Sequence, residues 1–307
     1  RHRAQWMTKE EIKLFEKKDK ERAESRRKGI GLNETYRVVR TDHFRVFTNF
    51  PKERQWDKWL QPHLLHMEAL YRTYRKIFIG LVDDSEARMG LDSVFFKNRK
   101  DYKSFCALNG IFFSFKTAGI YSPILKASFF YRDRDRPMDK TVLLHELTHQ
   151  LNRQVLHAAQ PNWADEGLAL YFEVGRLKKN GFLEIGNLHP LSFPRLRYAI
   201  RSKKRYIPAE KIFHASAVDD PIFKGYDVTN VYDHLWGWVY YFLHRSERTR
   251  RIFFEGLRRE IDCFTERGPF EDPRKIFIEL FSERGIAFAQ LDRDFKRFFL
   301  SLSFTGK

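Results

Sequence analysis

Two histidines and a glutamate stand at a spacing that could bind and use a metal ion. His145, Glu146 and His149 form the pattern HExxH within the apolar stretch TVLLHELTH. On an α-helix, residues four apart lie about 40° apart around the axis, so His145 and His149 project from one face and can bind one metal. Glu146 is offset by about 100°, where it can reach a water at that metal. The arrangement is typical of zinc hydrolases, although the five-residue pattern alone is weak evidence.

A third ligand has to come from another part of the chain, because a catalytic zinc site normally has three protein ligands and one water. The metzincin pattern requires a glycine at position 152 and a histidine at position 155, whereas this chain has Asn152 and Val155. The other common arrangement places a glutamate on the next helix, and Glu166 lies there, beyond a break at Pro161. Sixteen residues stand between His149 and Glu166, which allows the second helix to pack antiparallel beside the first.

The segments HELTH and PNWADEGLALYF resemble the gluzincin, or peptidase-MA-like, superfamily of HExxH zinc metallopeptidases. They are most similar to a little-characterised bacterial branch in which strands and a G-x-Y element precede HExxH, and that element is here Gly119-Ile120-Tyr121. The resemblance covers roughly residues 40–245 and is specific over residues 140–173.

This resemblance implies a hydrolase with one zinc ion as its cofactor. His145, His149 and Glu166 would bind the zinc, and Glu146 would be the general base for a zinc-activated water that hydrolyses peptide bonds. Its relatives of the thermolysin type carry an aspartate four residues after the ligand glutamate, but this chain has Leu170 there. The partner that orients His145 is therefore left open.

The mode of cleavage follows from a second departure. Relatives of the aminopeptidase-N type bind the substrate's amino terminus with a glutamate upstream of HExxH, and no glutamate lies between Ala87 and His145. This argues against an amino-terminal trimming enzyme and favours an endopeptidase, with a protein that has no peptidase activity left open.

The remaining site residues concern the substrate and the oxyanion. By the same resemblance a Tyr or His of the C-terminal helices would donate to the oxyanion; Tyr232 is preferred and His234 is second, with Tyr240 and Tyr241 left open. The strand ASFFYRD is expected to act as a sheet edge that pairs with an extended substrate. The residues expected to contact substrate are Tyr121, Phe129 and Tyr131.

The pattern of elements predicts an α+β fold. A small mixed sheet, including two strands joined by a turn at Thr41-Asp42, should be followed by helices packed on the HExxH helix and by a mainly helical C-terminal lobe. We expect a charged helix and linker over residues 1–34, a zincin-like α+β lobe over 35–188 and the helical lobe over 189–307. The charged helix 8–28 is expected to lie outside the core. Gly167 should let the two site helices approach, with a packing face of Trp163, Leu168, Ala169 and Phe172.

Composition limits the other classes of function. The 307 residues are 42% hydrophobic and carry a net charge of +17, so disorder is not expected and anionic surfaces should attract this basic protein. Two cysteines make no disulfide framework, and the longest apolar run is too short to span a bilayer. The basic stretch Arg195–Lys211 could grip a polyanion, or could select acidic substrates if it lined the active site.

Two alternatives therefore stay open beside a peptide or protein substrate: a non-catalytic, gluzincin-like binding protein, and a basic module that binds nucleic acid or another polyanion. No signature of a nucleic-acid-binding fold supports the last. The chain begins with Arg1, so we expect a fragment or processed form. The compartment is left open, with a preference for secretion or the cell envelope, and so is the oligomeric state.

Overall fold

The computed structural model describes residues 9–83, 85, 87, 90–111, 118–132, 139–157, 160–202, 204–267 and 272–303. Five strands form one mixed sheet in the order β1-β2-β3-β5-β4, in which β2, β3 and β5 are parallel and the two edge strands are antiparallel to their neighbours. The strands are β1 (Arg37–Arg40), β2 (Phe44–Thr48), β3 (Leu91–Phe96), β4 (Gly119–Ser122) and β5 (Ala127–Tyr131). The predicted α+β class and the hairpin turn at Thr41-Asp42 are confirmed.

The first four helices pack on the sheet, and the helices after them make up most of the C-terminal part of the chain. They are α1 (Lys9–Ile30), α2 (Arg54–Ile77), α3 (Arg99–Leu108), α4 (Lys140–Gln154), α5 (Asn162–Glu173), α6 (Ser192–Arg201), α7 (Ala209–His214), α8 (Val228–His244), α9 (Glu247–Arg267), α10 (Pro273–Glu283) and α11 (Phe288–Ser301). A two-stranded hairpin of β6 (Arg176–Leu177) and β7 (Leu183–Glu184) follows α5, and a 3-10 turn spans Pro221–Phe223. Each of these helices is too short or too polar to span a bilayer.

The two faces of the sheet are covered by different helices. Side chains alternate along β5: Phe130 belongs to the hydrophobic cluster that includes α2 and α4, whereas Phe129 and Tyr131 belong to a second cluster that includes α3 and the end of α1. Ser128, on the same side as Phe130, donates to Gln150 of α4 at 2.9 Å. The helix α4, which carries HExxH, therefore lies on the face of the sheet that presents Ser128 and Phe130.

The charged helix α1 packs on the sheet, so the expectation that it lies outside the core is wrong. Ala23 and Ile30 are buried, and the guanidinium of Arg26 pairs with Asp92 of β3 at 2.5 Å. The physical reason is that the arginines of α1 pack with the aliphatic part of their side chains and form ion pairs with the charged end. A search for a stripe of apolar residues does not detect this kind of contact.

The C-terminal helices join the same core through α8. A Cβ added to Gly167 would lie 2.5 Å from the carbonyl oxygen of Leu235, so the missing side chain lets α5 approach the backbone of α8. Our expectation that Gly167 faces α4 is therefore wrong. Trp163 likewise packs against Phe213 and Phe277 of the C-terminal helices. One hydrophobic cluster contains residues from both sides of position 189, where the C-terminal lobe was predicted to begin. The predicted boundaries of the lobes stay predictions.

Candidate metal centre

The helix α4 begins at a defined cap and carries both histidines toward α5. The Asp139 side chain accepts the backbone N–H of Thr141 at 2.9 Å, which fixes the first turn. Leu144 and Leu147 are fully buried, while His145 and His149 stand one turn apart with ring centroids 4.9 Å from each other. Buried leucines thus hold the helix so that one face presents two imidazoles.

Three possible ligand atoms meet between α4 and α5. Oε2 of Glu166 lies 3.4 Å from Nε2 of His145 and 3.7 Å from Nε2 of His149, and one ligand atom of each residue lies within 4.8 Å of the others. Ligands bound tetrahedrally to zinc at about 2.1 Å are roughly 3.4 Å apart. Oε2 of Glu166 is also buried and accepts no hydrogen bond from the part of the chain that the structure describes. The three side chains therefore fit a metal ion without a large rearrangement.

Each histidine is oriented by a second carboxylate. Nδ1 of His145 lies 2.8 Å from Oε2 of Glu173, and Nδ1 of His149 lies 3.1 Å from Oδ2 of Asp165. These contacts hold the Nδ1 atoms and leave both Nε2 atoms facing Glu166, as carboxylate partners of metal-binding histidines do. The partner of His145, which the sequence left open, is thus Glu173.

His189 extends this network and was not found from the sequence. Its Nδ1 accepts the backbone N–H groups of Leu191 and Ser192 at 3.2 and 3.0 Å, so the proton is on Nε2. That Nε2–H donates to Oε1 of Glu173 at 2.8 Å. Glu173 therefore accepts from two histidines, and the start of α6 is tied to the orientation of His145. Glu173 had one signal in the sequence, since seven residues after Glu166 is nearly the same helix face, but His189 follows in a loop.

The carboxylates make this pocket favourable for positive charge. Burial alone lowers the pKa of His145, but Glu166 and Glu173 raise it well above the usual value. Burial also opposes charge on His149, and Asp165 and Glu166 raise its pKa to about 9. In the opposite direction, burial raises the pKa of Asp165 while His149 lowers it, to about 2. Either protons on the histidines or a bound metal cation can balance the negative charge of these carboxylates.

The candidate general base is held by the edge strand. Oε2 of Glu146 accepts the backbone N–H of Tyr121 in β4 at 2.9 Å. Gly119, two residues earlier, is required for this approach because a Cβ there would lie 2.7 Å from Phe130 and 3.1 Å from Val142 of α4. The G-x-Y element thus brings a backbone donor to Glu146, and Tyr121 is the expected substrate-contact residue that lies beside the site.

Tyr232 is the candidate oxyanion donor on which the site carboxylates act. Burial raises its pKa above the usual value, and the carboxylates of Glu166 and Glu146 raise it further, so its hydroxyl stays protonated and can donate. The two open alternatives have partners elsewhere: the hydroxyl of Tyr240 donates to the carbonyl of Gly186 at 3.2 Å, and that of Tyr241 to Asp294 at 2.7 Å.

The structure does not bring His234 to the site as a donor. It is fully buried, its Nδ1 lies 2.8 Å from the carbonyl oxygen of Asn230, and its Nε2 accepts the backbone N–H of Ile207 at 3.1 Å. Both ring nitrogens are therefore used within the core, which corrects the assignment of His234 as a second oxyanion donor.

Phe129 and Tyr131 are not brought to the site either. Both lie in the hydrophobic cluster on the face of the sheet away from α4, and the strand that carries them, β5, lies between β3 and β4. The expectation that this strand is an edge is therefore wrong. The physical reason is the short turn at Pro123–Lys126, which returns the chain so that the shorter β4 becomes the edge.

Comparison with protein-family models and with curated proteins returns no match. The geometry itself defines an α+β protein in which three side chains lie close enough together that they could hold a metal ion. The gluzincin assignment stays a prediction from the motifs.

Proposed function

We propose that this chain is a zinc-dependent metallopeptidase of gluzincin type that cleaves within peptide chains. The observation that carries the proposal is the meeting of two imidazole Nε2 atoms and one buried carboxylate oxygen, from His145, His149 and Glu166. The helix spacing, the carboxylates behind both rings and the adjacent Glu146 support the same conclusion.

Zinc is the metal that suits this donor set best. Two imidazoles and one carboxylate are a common set for catalytic zinc, whereas calcium and magnesium prefer sites made only of oxygen ligands. When bound, zinc would polarise the scissile carbonyl and lower the pKa of water to about 7.

The residues around the ligands have separate tasks in the proposed reaction. The Glu146 carboxylate takes a proton from the attacking water and delivers it to the leaving nitrogen. The Tyr121 N–H, at 2.9 Å from Oε2 of Glu146, limits the orientations of that carboxylate. The Tyr232 hydroxyl, kept protonated, donates to the oxygen that becomes negative in the transition state.

An extended peptide is the substrate form that suits the fold. The edge strand β4 lies directly beside α4, and a peptide can add to such an edge as a further strand. The lack of a glutamate between Ala87 and His145 removes the residue type that would bind a substrate amino terminus and favours internal cleavage.

The test combines metal content with turnover. We expect about one zinc per chain by elemental analysis, and cleavage of a broad peptide library by the wild type that Glu146→Gln lowers by about 10²–10⁴-fold without loss of metal. Failure to take up zinc would contradict the proposal. Zinc binding with wild type and Glu146→Gln equally inert would favour the non-catalytic alternative.

A further inference from the structure

A cavity of about 340 Å³ opens between the end of α8, the start of α9 and the helix α11. Arg245 lines this cavity and follows Tyr232 by thirteen residues, which corresponds to about 20 Å along a helix. The cavity is therefore separate from the candidate metal centre. Its lining has two parts, an apolar floor and a rim of arginines.

The apolar floor consists of four buried side chains: Phe242, Ile252, Phe281 and Leu291. Each of them is at most 6% exposed. The rings of Phe242 and Phe281 are parallel to within 6°, with their centroids 6.1 Å apart. Small-molecule sites are lined mainly by such side chains, and the volume of this cavity is at the lower end of their range. The floor can therefore hold an apolar group.

The arginine rim consists of Arg245, Arg248, Arg293 and Arg297. Asp294 is the carboxylate among the described lining residues, and Arg245 donates to its two oxygens at 3.3 and 3.2 Å. Burial alone raises the pKa of Asp294, but its hydrogen bonds with Arg245 and the charge of Arg297 lower it below the usual value. Four guanidinium groups from three segments of the chain thus lie around one cavity that holds one carboxylate.

The first turn of α9 is fixed on both sides. The side chains of Ser246 and Thr249 each accept the backbone N–H of the other residue at 3.1 Å, which caps the helix. Arg250 donates to the carbonyl of Leu243 at 3.1 and 3.0 Å and so joins this turn to the last turn of α8. Arg248 therefore stands on a preformed turn, and little free energy is needed to order this side of the cavity when a ligand binds.

We propose that this cavity binds a small organic anion, with a phosphate or carboxylate group beside the arginine rim and an apolar group on the floor. Guanidinium groups match the geometry of phosphate and carboxylate oxygens and can donate two hydrogen bonds to one anion. Exposed ion pairs alone are worth little, so contact of the apolar group with the floor supplies much of the binding free energy. The proposal is independent of the proposed peptidase function.

Calorimetric titration of the full chain, at constant ionic strength, tests whether both parts of the lining are used. Phenyl phosphate carries an anion and an apolar group, whereas inorganic phosphate and benzyl alcohol each carry one of the two. We expect phenyl phosphate to bind at least about 10-fold more tightly than either of the other probes. A parallel titration with phenylacetate shows whether phosphate or carboxylate is the preferred anion. Equal affinity for phenyl phosphate and inorganic phosphate would overturn the proposal, because the floor would then have no part in binding.

A pair of double variants tests the arginine rim. Arg248→Gln, Arg297→Gln removes two charges from exposed rim positions and should weaken the binding of phenyl phosphate by about 10-fold or more. The matched control is Arg201→Gln, Arg258→Gln, which removes the same charge from exposed helix positions that do not belong to the described lining, and it should bind as the wild type does. Equal losses in the two double variants would overturn the proposal, since the effect would then come from net charge alone. Failure of the wild type to bind both phenyl phosphate and phenylacetate would also overturn it.

Discussion

The histidines of α4 and the histidine in the middle of α8 are surrounded by the same hydrophobic cluster, but their polar partners differ. His145 and His149 each have a carboxylate on Nδ1 and face Glu166 with Nε2. In His234, backbone groups satisfy both nitrogens. Carboxylates raise the pKa of the first two, whereas burial lowers the pKa of His234 to about 4.

The difference shows that burial alone does not define a functional histidine. A buried ring with two backbone partners is neutral and contributes to packing. A ring with one carboxylate partner keeps its second nitrogen for a cation, at a place where negative charge needs to be balanced. In the proposed reaction α8 takes part through Tyr232, whose pKa burial and the carboxylates of Glu166 and Glu146 raise, and not through its histidine.

The largest effect should come from Tyr232 of α8, whose pKa the site carboxylates raise. Tyr232→Phe removes the proposed oxyanion donor, and kcat should fall by about 10²–10³-fold while zinc affinity stays unchanged. Tyr241→Phe, whose hydroxyl is bonded to Asp294, should keep wild-type kcat. If both variants behave alike, α8 has no part in the reaction.

A smaller effect should follow from changing a carboxylate behind a ligand. Glu173→Gln removes the negative charge and one of the two acceptor oxygens that His145 Nδ1 and His189 Nε2 share. Zinc binding should weaken by about 10–100-fold in competition with a chelator, whether or not peptide is cleaved. The control Glu184→Gln changes a partly exposed glutamate paired with Lys178 and should bind zinc normally. Unchanged zinc affinity in Glu173→Gln would contradict the role of this carboxylate in holding the ligand.

The close contact between α5 and α8 can be tested separately. In Gly167→Ala the new Cβ would lie 2.5 Å from the Leu235 carbonyl, and separating α5 from α8 should lower the free energy of unfolding by about 1–3 kcal/mol in urea denaturation. Gly29→Ala is the matched control, because nothing lies within 4 Å of its added Cβ and alanine is favoured in a helix by up to about 1 kcal/mol. Equal stability of the two variants would show that the helices do not need this approach.

The site helices and the elements around them show how far the sequence predicts the structure. The spacing of His145 and His149 was sufficient to predict a shared face, because helix geometry is local. The neighbour of Gly167 was predicted wrongly, since a small residue indicates a close approach but not which helix approaches. His189 had no signal, because its contact with Glu173 depends on the path of the intervening loop. The order of β4 and β5 was missed for a similar reason: strand pairing is decided by tertiary contacts.

The last prediction concerns how the core histidine His234 makes the stability of the fold depend on pH. The pKa of His234 falls from 6.5 to about 4 on folding, so the unfolded chain binds a proton that the folded chain does not. Its contribution to stability is present above pH 6.5 and is lost as the pH falls toward 4, up to about 3 kcal/mol. Urea denaturation of wild type and His234→Gln should therefore show the wild type losing more stability between pH 7 and pH 4, since glutamine does not titrate and all other groups are shared. Parallel losses in the two proteins would mean that His234 is protonated in the folded state, and its assignment to the core would then be wrong.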